Sequence, residues 1–214
     1  MRGSEGREEG GRARRARPRG AAQEMTVVRV QAPAATPVSL ADVKLWLRVD
    51  HSDDDSLIMQ LIAAATDTLD GTGLLGQAIV TQTWRQICNE APSGELLELE
   101  LGPVQSIAGV EWTARDGSTV TGDPADFSLA TDGGKWWVRS AAWPRDLSTA
   151  PGALRIDFVA GFGDSVDVPA AIKTALMLLI GHWYEHREAT GTALSEIPMG
   201  VRDLIERYRH GYAA

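Results

Sequence analysis

The sequence predicts an α+β protein, a helical core of about four helices with a small antiparallel β unit inserted between its two helical halves. Three observations predict it. Apolar residues recur at helical spacing between 39 and 69 and again after Pro169. β-Branched and aromatic residues concentrate between 77 and 164, where five of the seven tryptophans fall (Trp84, Trp112, Trp136, Trp137 and Trp143). Residues 1–24 are Gly, Arg and Glu with almost nothing apolar, so they cannot offset their ordering entropy and read as a disordered extension. These shifts divide the chain into that extension, the first part of the helical core over 25–76, a β-rich insertion over 77–164, and C-terminal helices with a tail over 165–214.

Taken in order, Ser39 can cap a helix through Leu47, with Leu40, Val43 and Leu47 on one face. Asp50-His51-Ser52 breaks it. Asp53, Asp54 or Asp55 then caps a longer helix carrying Leu57, Ile58, Leu61, Ile62, Ala65 and Leu69, which Gly71 and Gly73 end. Ala78 to Trp84 reads as a strand, as does the alternation of Leu97, Leu99 and Leu101 with Glu98 and Glu100. Val110 to Thr113, the Asp116-Gly117 turn and Thr119-Val120 form a hairpin. Lys135 to Val138 and Leu154 to Val159 add two strands. Pro169 opens a helix that is apolar around nearly its whole circumference from Ile172 to Tyr184, and Pro198-Met199-Gly200 starts an amphipathic one with a Val201, Leu204, Ile205 and Tyr208 stripe. A helix apolar on all sides is buried on more than one face, so part of its cover is expected from a second copy of the chain.

Composition narrows the function. The net charge is -8, although the first 20 residues hold seven Arg against three Glu, so the remainder is more acidic still. An acidic body is a poor general binder of nucleic acid, whose affinity comes from Lys and Arg. The Arg-rich start leaves open a basic arm for DNA or for an acidic partner, or an upstream extension of a chain beginning at Met25. One cysteine, Cys88, excludes an internal disulfide framework, and on its strand it reads as a packed residue. The longest apolar run, Ala175 to Ile180, falls far short of the roughly 20 residues a membrane span needs.

Four constellations invite a chemical reading. His182-Trp183-Tyr184-Glu185-His186 matches the H-x-x-E-H pattern of a class of zinc peptidases, in which two His one turn apart grip a metal and Glu acts as base. It lacks a defined third ligand, Glu188 and Glu196 being vague candidates, and the alternative is plain packing by Trp183 and Tyr184. Gly71-Thr72-Gly73-Leu74-Leu75-Gly76 fits G-x-G-x-x-G but leaves a helix for a strand, the reverse of a dinucleotide loop, and reads as a helix stop and turn. Asp50, Asp53, Asp54 and Asp55 lack the calcium-loop spacing and suit a helix start. The tryptophans sit among scattered Arg85, Arg115, Lys135, Arg139 and Arg145 rather than in a basic groove, and read as sheet core or a protein interface.

Several segments, in order and spacing, resemble the head–tail connector (adaptor) proteins of tailed phages and gene transfer agents. They are Pro37-Val38-Ser39-Leu40-Ala41-Asp42-Val43 with Leu47-Arg48-Val49, Asp53-Asp54-Asp55 leading to Leu61-Ile62-Ala63-Ala64-Ala65, Val80-Thr81-Gln82-Thr83-Trp84, Gly102 to Ser106, and Val159 to Asp164. Val168 to Ile172, Gly181 to Glu188 and Ile197 to Val201 complete a match over roughly 37–209. The resemblance implies a structural protein without a cofactor. Its helical adaptor core would form a ring, usually of twelve copies, at the head–tail junction of a phage-like particle made in the bacterial cytoplasm. Its implied partners are the portal, a stopper or tail-terminator protein, and DNA that passes through the lumen without specific binding. In that setting Met177, Ile180 and Tyr184 are candidates for the subunit interface, with Ile172, Leu176, Leu179 and Trp183 kept for the subunit's own core. The aromatic, basic tail, Arg207, Tyr208, Arg209, His210 and Tyr212, is the candidate for docking on the portal. A zinc hydrolase using His182, Glu185 and His186 is the alternative.

Overall fold

The computed structural model describes residues 25–186 and 197–209. Within them the chain order is β1 (Met25–Gln31), α1 (Leu40–Leu47), α2 (Asp55–Leu69), β2 (Gln82–Cys88), β3 (Leu96–Leu99), β4 (Val104–Thr113), β5 (Thr119–Thr121), β6 (Ser128–Asp132), β7 (Lys135–Arg139), β8 (Leu154–Ala160), α3 (Ala170–Glu185) and α4 (Met199–Ile205).

This corrects the predicted fold class. A helical core with a small β insertion is not what forms: the strands make two antiparallel sheets, β1-β2-β8-β4-β5 and β3-β7-β6, that match the helices in weight. The five-stranded sheet also recruits β1, which precedes both α1 and α2 and pairs with β2 from Cys88 back to Thr83, Met25 opposite Cys88 and Val28 opposite Arg85. The sequence expectation missed β1 because only Met25 and Val27 face inward, while Val28 and Val30 are exposed, so MTVVRVQ shows no clean alternation. It missed β6 for a similar reason, since SLATD has little to bury. The expected strand over 78–84 begins later, at Gln82, because Ala78, Ile79 and Val80 are buried in an irregular entry held by Ala78 N–H to Gly102 O (2.6 Å) and Thr81 N–H to Gly163 O (2.9 Å).

The two sheets close over one apolar core. Trp84, Cys88, Val110, Leu154, Ile156 and Phe158 come from the larger sheet, Leu97, Leu99 and Val138 from the smaller. Between them Gln86, fully buried, donates to Glu98 O (2.8 Å) and accepts from Glu100 N–H (2.9 Å), so one amide joins the sheets without leaving an unsatisfied group. The Asp116-Gly117 hairpin forms as predicted, with Thr113 opposite Thr119 and Gly117 at φ +88°.

A second core belongs to the helices. Val43, Ile58, Ile62, Ala65, Leu69, Ile172, Leu176, Leu179, Ile180, Val201 and Ile205 pack together. The Ser39 hydroxyl accepts from Asp42 N–H (3.1 Å), the predicted cap of α1. At the end of α2, Gly71 takes φ +57° and a Cβ there would sit 2.4 Å from the Trp84 ring. Gly71→Ala therefore meets both left-handed strain and overpacking, and is expected to lower stability by about 2–3 kcal/mol in urea unfolding.

Candidate functional site

α3 packs against α1, α2 and α4, and that three-sided cover explains its lack of a polar face. Ile172, Ala175, Leu176, Leu179 and Ile180 are buried. Of the three residues proposed from sequence to meet a neighbour, Ile180 is 0% exposed and lies wholly inside its own protomer. Met177 is half-buried at the rim of α3. Tyr184 is half-buried, and its hydroxyl donates to the Asp54 carboxylate at 2.5 Å.

Exposed apolar side chains lie elsewhere, at Met59, Val166 and Met199 and as an adjacent pair on α1. Leu45 is 80% exposed and Trp46 50%. With Met177, Asp42 and Arg48 they line a shallow depression of ≈ 480 Å³. The Trp46 indole lies over α3 where Gly181 leaves room, Nε1 being 3.5 Å from where a Cβ would be. Arg48, just past the helix end, holds φ +58°, a conformation that costs a non-glycine residue about 1–2 kcal/mol. The α1 sequence did carry this signal: Leu45 and Trp46 fall outside the Leu40, Val43 and Leu47 stripe, and are left without a core to face.

The acidic run before α2 does more than cap. Asp54 makes no side-chain cap bond. It receives Tyr184, and Asp55 accepts Lys44 Nζ at 2.6 Å, so these acids tie α3 and α1 to the start of α2. At the other end, Asp70 is buried and accepts from Ile79 N–H (2.7 Å), Gln82 Nε2 (3.0 and 2.9 Å) and Arg29 Nη1 (3.3 Å), linking α2 to β1 and to the entry of β2. Burial pushes its carboxyl above the usual value despite those partners. On the outer face of the larger sheet Arg85 grips Asp157 in a two-pronged ion pair (2.6 and 2.7 Å), which raises the already high Arg85 pKa.

Among the described residues the histidine motif gathers no third ligand. His186 Nδ1 donates to His182 O (2.9 Å), and the two rings lie side by side with centroids 4.7 Å apart. Among the described residues no three His, Cys, Asp or Glu side chains are grouped to hold a metal ion. Glu188 and Glu196 lie outside the described residues. G-x-G-x-x-G ends α2 as a turn, with Gly73 N–H donating to Asp70 O and Leu74 N–H to Thr68 O. Trp84 and Trp143 are buried and Trp112 and Trp136 partly so, all within the sheet core, and Trp143 Nε1 donates to Glu95 O (3.0 Å).

The start of the tail folds back. Tyr208 meets Phe162 edge-on with centroids 6.1 Å apart, and Arg209 Nε donates to Leu74 O (3.2 Å). Arg207 is exposed and stacks over the Tyr208 ring at 4.8 Å. His210 and Tyr212 lie outside the described residues.

Residues 37–96, from α1 to β3, match the family model described as phage gp6-like head–tail connector protein. That match spans 60 of the chain's 214 residues and agrees with the resemblance to head–tail connectors read from the sequence. Solved structures with a similar fold are chains of gene transfer agent (GTA) particles. A chain from the neck of an empty GTA particle computed with C6 symmetry is 23% identical with a TM-score of 0.71, over 88% of this chain and 100% of that one. A chain from the virion of a native GTA particle gives 23% and 0.71, over 88% and 97%. One from the neck of a native GTA particle computed with C12 symmetry gives 23% and 0.65, over 88% and 100%. No curated protein matches the chain.

Proposed function

We propose that this chain is a structural adaptor whose copies close into a ring of twelve at the neck of a phage-like particle. The ring joins the portal to a stopper or tail-terminator protein and lets DNA through its lumen. The connector match over 37–96, on a chain whose fold follows GTA neck chains over 88% of its length, carries the reading. A net charge of -8 suits a conduit, because a wall short of clustered Lys and Arg does not hold phosphate. Copies in a ring meet through unlike faces, and the half-buried Met177 borders the α1 surface available for that contact, with the half-buried Tyr184 two turns further along α3. Electron microscopy of particles made with and without the chain tests the role: its loss is expected to leave filled or emptied heads without tails, and tailed particles lacking it would overturn the reading.

The basic tail is the proposed portal contact. Because Tyr208 and Arg209 also hold their own protomer, the cleaner test removes residues 210–214 and carries Arg207→Glu. That variant is expected to keep the wild-type unfolding midpoint and to lose at least about tenfold in portal affinity. Undiminished binding would remove the tail from the interface.

A further inference from the structure

We propose that the neighbour in the ring is met by the α1 knob of Leu45, Trp46 and Arg48, seated on the outer face of α2 of the next copy around Met59 and Asp67. This deepens the ring reading and rests on it.

Leu45 and Trp46 are adjacent, apolar and exposed, while Val43 alone of α1 is buried. A tryptophan that spends half its surface in water is the residue type most enriched at the energetic centre of interfaces. The patch adjoins Met177, so it continues the α3 edge rather than standing alone. Arg48 adds a second argument. Glycine would suit its φ of +58° without strain, yet the position carries a long cation, and no ion-pair partner for it is found among the described residues. A side chain kept at that cost is used elsewhere.

The receiving face matches in chemistry. α2 turns Ile58, Ile62, Ala65 and Leu69 inward, leaving Met59 52% exposed on the opposite side, with Ala63 exposed beside it and Asp67 one turn further on. The Asp67 side chain is 69% exposed and, among the described residues, is held by a long 3.4 Å bond from Arg29. Apolar knob with cation thus faces apolar face with anion. The two surfaces are distinct parts of one protomer, as a head-to-tail contact in a cyclic ring requires, whereas a two-fold pair would need one surface to match itself.

The test uses the full chain, with oligomer size read by native mass spectrometry and light scattering over a range of concentrations, and folding by circular dichroism. Wild type is expected to form closed rings. Leu45→Asp and Trp46→Asp are expected to stay folded and to raise the concentration needed for rings at least about tenfold. Arg48→Gly is expected to keep or raise the unfolding midpoint, since it relieves the left-handed backbone, while still weakening assembly. Arg48→Asp and Asp67→Arg should each weaken it, and together restore it. Rings formed equally well by all the single variants would overturn this interface while leaving the ring itself standing. So would variants that form rings normally but no longer join particles, which would assign the knob to a portal or tail protein. A wild-type chain that remains monomeric at every concentration would instead overturn the ring reading first.

Discussion

Ile180→Asp is expected to unfold the helical layer rather than yield a folded monomer. Ile180 is 0% exposed among Leu176, Leu179, Val201 and Ile205, so a carboxylate there has neither water nor a partner. Lost apolar packing and an unpaired buried charge together cost about 4 kcal/mol or more, a large part of the whole stability of a chain this size. Met177→Asp is the contrast. Its side chain is half-buried at the rim beside Leu45, so the protein is expected to stay folded with near-native circular dichroism while ring assembly falls. Near-native unfolding of the Ile180 variant in urea would show that this part of α3 is not packed as described.

The same pair of residues shows how far the sequence could be read. α3 was legible as a helix from Pro169 and its apolar run, but periodicity ranks faces only when some face is polar. Ile180 lies one turn past Leu176 and about 40° further round, which α4 packing turns inward. The position of α4 is a tertiary fact with no signature in α3. Where a local rule acts alone, the reading held: Ser39 caps α1, Asp116-Gly117 turns β4 into β5, and Gly71 closes α2. β1 and the true size of the sheets were hidden because their pairing is long-range. A strand 51 or more residues before its partner, exposed along much of its length, gains its order from β2 rather than from its own sequence. The exposed pair Leu45 and Trp46 was visible as apolar residues off the core stripe, and the greater apolarity of α3 drew the expectation away from it.

Asp70→Ala is expected to be the most damaging polar substitution. The carboxylate receives Ile79 N–H and the Gln82 amide from the entry of β2 and Arg29 from β1, two segments far apart in the chain. Truncation leaves a buried backbone N–H and a buried amide without that acceptor and leaves Arg29 only its longer contacts to Asp67 and Gln82, so a loss of about 3–4 kcal/mol is expected. Burial raises the Asp70 pKa above its ordinary 3.8, and the hydrogen bonds and Arg29 only partly oppose that. The folded state therefore binds this proton more tightly than the unfolded chain does. The group's contribution is fully present below about pH 3.8 and declines as pH rises through the higher folded value. Urea unfolding of wild type and variant, followed from about pH 3 to about pH 7, is expected to show a gap that narrows as pH rises. A gap that instead widened with pH would mean that the charge pairing with Arg29 outweighs burial. An unchanged midpoint at every pH would mean that Asp70 does not join α2 to the larger sheet at all.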